Sequence, residues 1–286
     1  MRRLQAAANR LKYCLVRQSG SLTNPHLILP KPHFFRVAKL RSTADSRNPP
    51  RPEAADVLHS LDYTNKMKPS AFPFLDASRV LPLVDHELEL LEPDTRLVDA
   101  VLAACHHPLT RRDMPSQAQT TRDNLLTFLS QNPRGHTAPD ALRGIAPGYT
   151  FWMRIRPCGG YSPSADGLIP SNPGHAPPPA GTIAGSISLR IGHSPNLDFY
   201  LGHIGYHVLP PARGHHYAER ACRLLLPLAR THEHKTLWIT CNPENSASRR
   251  TCERLGAKLV ETVFVPRDNP LYAQGDRQKC RYRLEL

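Results

Sequence analysis

No stretch of this 286-residue chain approaches the ~20 consecutive apolar residues needed to cross a bilayer, so no membrane-spanning helix is expected. No Cys-x-x-Cys pair occurs among its seven cysteines, Cys14, Cys105, Cys158, Cys222, Cys241, Cys252 and Cys280. An odd set without that spacing disfavours a disulfide framework or a zinc knuckle and suits a reducing compartment. Acidic residues are missing from the first 44 positions, which hold nine basic ones. The remainder carries 28 basic and 24 acidic residues, so most of the net charge of +13 belongs to the tail. The folded part is therefore not the strongly basic body expected of a nucleic-acid-binding domain. With 40% apolar and 21% charged residues, the chain has the composition of a soluble globular protein of one or two domains.

Composition also divides the chain. Leu4, Ala8, Leu11 and Leu15 share one helical face, with Arg3, Arg10 and Arg17 on another. The segment reads as a mitochondrial transit peptide, as a disordered basic arm of a cytoplasmic protein, or as an extension upstream of a start at Met67. Residues 42–56 are polar and proline-rich and read as a linker. One domain is expected over 67–286, with 1–66 as tail and linker. Alternating strand and helix signals follow: strands at 87–91, 149–155, 182–190, 201–209, 236–240, 258–265 and 280–286, and helices after Asp94, at 121–129, 216–231 and 244–255. This order implies an α/β (α+β) fold with helices on both faces of a sheet. Residues 157–181 hold seven prolines and five glycines and form no regular element. They read as a hairpin insertion, either a substrate-covering loop or a plain surface excursion.

The chemistry-bearing segment is a strand, a tight turn and a helix. The turn Arg213-Gly214-His215-His216-Tyr217-Ala218 opens a helix whose apolar face is Ala218, Ala221, Cys222, Leu225 and Ala229. A helix N-terminus offers unpaired amides and about half a positive charge; glycine lets the backbone curl around an anion, and Arg213 adds a cation. Such a turn suits a pyrophosphate. Pro227 should bend the helix. His203 and His207, four apart on one strand, share a face and titrate in the range of a general base, or are hydrogen-bonded strand residues. His106-His107 and His232-Glu233-His234 lack a third ligand at recognisable spacing, so no metal site is expected from them.

After the strand TLWIT, the run from Asn242 to Ala257 places Asn245 three residues before Ser248 and ends its basic helix in Leu255-Gly256-Ala257. With the turn before it, this resembles the GNAT acetyltransferase superfamily over roughly 85–286, most strongly over 200–260. That family's pyrophosphate loop runs Gln or Arg, two residues, Gly, one residue, Gly or Ala. Here Pro211 and His216 stand at its first and last positions. The resemblance implies a mixed central sheet of six to seven strands, with acetyl-CoA as co-substrate between two splayed strands. Pantetheine would pair near Val208 and Leu209, pyrophosphate would sit on residues 213–218, and Asn245 and Ser248 would line the far side. The family often carries a tyrosine acid four residues before the helix-ending glycine; that position is Cys252, a thiol acid or a small packing residue, with Tyr217 and Tyr272 as other acids. Asp268, Asn269 and Tyr272, between the last two strands, would face the acceptor. The implied reaction moves acetyl from acetyl-CoA to a small-molecule or peptide amine by direct attack. The departures at Pro211, His216 and Cys252 leave open a non-catalytic module that binds CoA or a partner protein.

Overall fold

The computed structural model describes residues 72–76, 83–141, 143–157 and 178–286. The expectations for the basic tail and linker, and for most of the Pro/Gly-rich insertion, lie outside the described residues.

Strand β1 (Leu88–Leu91) alternates buried and half-buried residues, as its acidic–apolar alternation implied. Asp94 caps the next turn by accepting from Arg96 N at 2.7 Å. That turn leads into α1 (Val98–Cys105). Two short helices, α2 (Pro108–Asp113) and α3 (Pro115–Ala118), follow, each begun by a proline in its first turn, where no amide is needed. A capping box at Thr121 and Asn124 starts α4 (Arg122–Gln131). The short β2 (His136–Thr137) and the long β3 (Gly148–Ile155) and β4 (Ile183–Arg190) complete one half with β5 (Ile204–Val208). The other half is α5 (Tyr217–Thr231), β6 (Thr236–Cys241), α6 (Ser246–Arg254), β7 (Lys258–Phe264), the one-turn α7 (Pro270–Ala273) and β8 (Gln278–Glu285). Residues 157–181 do join two antiparallel partners, β3 and β4.

The expected central sheet is present as two antiparallel parts. One runs β1-β3-β4-β5, with β2 sharing the β1 edge of β3; the other runs β6-β8-β7. Strand β3 decides how the layers form. Its Tyr149, Phe151, Met153 and Ile155 enter a core closed by α5, whose Tyr217, Ala221, Cys222, Leu225, Leu228 and Ala229 are buried. Its Trp152 turns to the opposite face and packs with Val98, Val101, Cys105 and Leu125 of α1 and α4. Each fully buried Leu or Phe contributes about 2 kcal/mol, so this two-sided pattern fixes the register of β3. The α5 helix runs through Pro227.

The two sheets meet between β5 and β6 without a strand ladder. A single backbone hydrogen bond, His203 N to Trp238 O at 2.6 Å, joins them at one end. Gly202, at φ 73°, permits the approach: a Cβ there would lie 2.9 Å from Thr240 N. Beyond this point β5 and β6 make no further ladder bonds.

Candidate active site

The closed end of the β5–β6 junction is held by His203, which is fully buried. Its Nδ1 accepts from Trp238 N at 2.9 Å, so its Nε2 carries the proton and donates to Gly192 O at 3.0 Å. Burial, and then the neighbouring rings of His234 and His193, push its pKa down to about 3. With its lone pair engaged in the sheet, His203 has nothing with which to take a substrate proton. The expectation of a base at this position gives way to a structural bracket.

His207 faces the α1–α4 side of β5 and is nearly buried. Its Nδ1 lies 3.1 Å from Ser186 Oγ. Burial and the positive charge of Arg213 push its pKa down to about 4, so the ring is neutral at pH 7. Arg213 is exposed; partial desolvation of its guanidinium lowers its pKa, and it donates from Nε to Val208 O at 3.2 Å. This occupies one of the backbone acceptors expected to meet pantetheine. The other expected contact, Leu209, gives its amide to Ala184 O at 2.8 Å.

The helix α5 begins at Tyr217, one residue later than the sequence suggested. His216 is its N-cap and is left-handed, at φ 57° and ψ 18°. That conformation costs a non-glycine residue roughly 1–2 kcal/mol, which explains why a small residue is the expected occupant. His216 makes no side-chain cap; its Nδ1 instead accepts from Arg254 Nη1 at 2.5 Å. Burial and Arg254 lower its pKa. Gly214, at φ 91°, has open space where a Cβ would be. The first amides of a helix have no intrahelical partners. Residues 213–218 thus combine a helix start, a glycine turn and the Arg213 guanidinium, with that of Arg254 alongside. Arg254 belongs to this constellation although it lies 38 residues from His216.

Asn245 caps α6 by accepting from Ser248 N at 3.1 Å, so the Asn–Ser spacing first builds a helix start. Cys252 is fully buried. It shares a hydrogen bond with the Cys241 thiol, and this bond together with burial pushes its pKa far above the ordinary thiol range. Tyr217 is also turned away from the cleft, its hydroxyl donating to Glu87 Oε1 at 2.9 Å. Neither side chain reaches the junction as a free acid. Tyr206 of β5 lies beside the Cys222 and Cys252 thiols, and burial raises its pKa. Its hydroxyl is directed at Ser248 and Thr251 of α6, yet it meets no partner in hydrogen-bond geometry among the described residues. An orphaned buried hydroxyl costs roughly 1–3 kcal/mol, a need that a small shift toward Ser248 or Thr251, a water or a ligand would meet. The strand alternation that put His207 on one face put Tyr206 on the other, and this was the available sequence signal.

Between β7 and β8, Asn269 caps α7 and donates from Nδ2 to Asn196 Oδ1 at 2.9 Å, so it braces the β4–β5 connection. Exposed Asp268 faces Tyr200 of that connection. Tyr272 lies under the Arg277 guanidinium, 3.9 Å from the ring centre. Asp268 and Asn269 thus flank the β4–β5 connection, while Tyr272 is engaged with its own loop.

A family model described as an acetyltransferase (GNAT) domain matches residues 100–258, more than half of the chain. No curated protein matches it. Among solved structures, the chain is similar to the microcin C7 self-immunity acetyltransferase MccE in complex with acetyl-CoA and AMP. Identity is 15%, coverage 71% of this chain and 94% of that one, and the TM-score 0.48. A putative ribosomal-protein-serine acetyltransferase from Vibrio cholerae is 16% identical, covering 72% and 98%, with a TM-score of 0.47. RimL, a ribosomal L7/L12 α-N-protein acetyltransferase in complex with coenzyme A, is 16% identical, covering 71% and 96%, with a TM-score of 0.46.

Proposed function

The chain belongs to the GNAT acetyltransferase family, and we propose that it transfers acetyl from acetyl-CoA to an amine in the open part of the β5–β6 junction. The observation that carries this reading is the pairing of a cationic helix start at Arg213–Ala218, beside Arg254 of α6, with the buried Tyr206 hydroxyl directed at Ser248 and Thr251 of the same helix. The residues present fit the co-substrate. The α5 amides, Arg254 and Arg213 complement pyrophosphate, the last by leaving Val208 O, which then becomes available to pantetheine. Asn245 and Ser248 stand at the start of α6.

Acetyl-CoA supplies an activated thioester; the chain's part is positioning and proton handling. An amine of pKa ~10.4 must lose a proton, which at pH 7 costs roughly 4.6 kcal/mol. Passing that proton outright to an imidazole of pKa about 4 would cost about 9 kcal/mol. His207 is therefore no initial base. Solvent takes the first proton, and the neutral His207 ring orients the amine or a water and accepts from the nitrogen as its bond to the acyl carbon forms and its acidity rises. On the other face, burial keeps Tyr206 protonated, so it donates a hydrogen bond to the departing sulfur, which is finally protonated from solvent.

The buried, thiol-bonded Cys252 favours one other reading, a module that binds coenzyme A without turning it over. Thiol release from acetyl-CoA, followed with a panel of small amines and peptide N-termini, separates the two. Amine-dependent release is expected; acetyl-CoA binding with none would leave the non-catalytic reading standing.

A further inference from the structure

His234 is a residue with an unmet need. It is 6% exposed, and neither ring nitrogen has a hydrogen-bond partner among the described residues. A neutral imidazole presents one donor and one acceptor, and each left unpaired in the interior costs roughly 1–3 kcal/mol. Its ring lies 5.4 Å from that of His193 and 4.9 Å from that of His203. One nitrogen from each of the three histidines falls within 4.8 Å of the other two. A carboxylate completes the group: Asp198 Oδ1 is 3.1 Å from His193 Nδ1 and 3.6 Å from His203 Nε2.

These side chains come from two stretches that chain order keeps apart. His193, Asp198 and His203 lie between β4 and β5, and His234 ends the connection from α5 to β6. The group therefore sits at the closed end of the junction between the two sheets, away from the proposed acetyl-CoA turn.

We propose that His193, His234 and Asp198 hold a divalent transition-metal ion, with zinc the best match, which ties the β4–β5 connection to the start of β6. Two imidazoles and one carboxylate are the donor set zinc accepts, whereas magnesium and calcium take oxygen-rich shells. Zinc–ligand bonds of about 2.0–2.1 Å put tetrahedral donors about 3.3 Å apart. His193 and Asp198 already stand at that spacing. The side chain of His193 is 56% exposed, so it is free to close on His234 and leaves a fourth position open to water. His203 is a neighbour, not a ligand. Its Nδ1 is committed to Trp238 N, so the proton on Nε2 faces Gly192 O and the Asp198 carboxylate, where it steadies a ligand from the second layer. The His232-Glu233-His234 segment thus contributes one ligand, and its partners lie 36 and 41 residues earlier, a separation with no recognisable sequence spacing.

The test uses the full-length protein stripped with a chelator, and Zn2+ itself as probe. Isothermal titration should show one equivalent bound, and thermal unfolding should shift upward with Zn2+ but not with Mg2+. Substituting Co2+ should give the visible absorption of a tetrahedral or five-coordinate ion. His193→Ala, at an exposed site, should abolish all three responses while leaving the metal-free melting temperature unchanged. His234→Leu should do the same and melt at or above the wild-type temperature without metal, because it removes two orphaned nitrogens. Absence of stoichiometric binding would leave water as the occupant and overturn the proposal. So would a zinc response that survives His193→Ala, which would place the ion elsewhere.

Discussion

The two ends of the β5–β6 junction have opposite designs. At the closed end every backbone and ring atom of His203 is engaged: amide to Trp238, carbonyl to Arg190, Nδ1 to Trp238 N, Nε2 to Gly192 O. At the open end polar groups are loosely held or lack a partner: the Val208 carbonyl takes a long bond from Arg213, and the Tyr206 hydroxyl has none among the described residues. The lesson is that the same residue type is read by its partners. His203 and His207 lie four apart on the same stretch of chain. One is a structural bracket, and the other is a neutral ring beside the cleft, with Ser186 Oγ at 3.1 Å and the charge of Arg213 nearby.

Acid should break the closed end first and most strongly. At that end His203 and His234 are held near pKa 3 and 4, and beside the cleft His207 near 4, chiefly by burial. The unfolded chain takes up those protons near pH 6.5, so it binds more protons than the fold between about 4 and 6.5. Stability is therefore complete above about pH 6.5 and falls as pH drops toward 4, by about 1.4 kcal/mol for each unit a group is displaced. Urea unfolding of metal-free protein across that range measures it; a flat profile would mean that these rings are not buried neutral. Next in size, His203→Leu should cost roughly 2–5 kcal/mol, because it strands the Trp238 amide and the Gly192 carbonyl. A loss below ~1 kcal/mol would remove the bracket from the account.

At the open end the effects should appear in function rather than in folding. Tyr206→Phe should lower kcat by about 100-fold, with little change in the KM for acetyl-CoA and a melting temperature equal to or above wild type. Unchanged turnover would move the sulfur's hydrogen-bond donor elsewhere. Smallest is Arg254→Glu, which should weaken acetyl-CoA binding at least tenfold, about 1.4 kcal/mol, with folding unaffected because the side chain is exposed.

How much of this was legible depended on distance along the chain. The helix start after Asp94, the alternation of β1 and the apolar stripe of α5 are local patterns, and the structure carries them. The Arg213–Ala218 turn and the Asn245–Gly256 unit were readable for the same reason. The short α2 and α3 were not, since four to six residues offer too little periodicity. Nor was the left-handed His216, because helix periodicity says nothing about which φ its N-cap takes. Arg254 beside His216, Tyr206 against α6, and His193 near His234 are juxtapositions made by sheet and helix packing between distant segments. No spacing in the sequence encodes them.

The central claim is that the turn at the start of α5 receives the pyrophosphate of acetyl-CoA. Titration calorimetry of acetyl-CoA into wild type, Gly214→Glu and Arg254→Glu tests it directly. The account predicts one equivalent bound by the wild type and at least tenfold weaker binding by both variants, with Arg254→Glu melting at the wild-type temperature without ligand. Equal affinity in all three, or no binding by the wild type at millimolar acetyl-CoA, would contradict it.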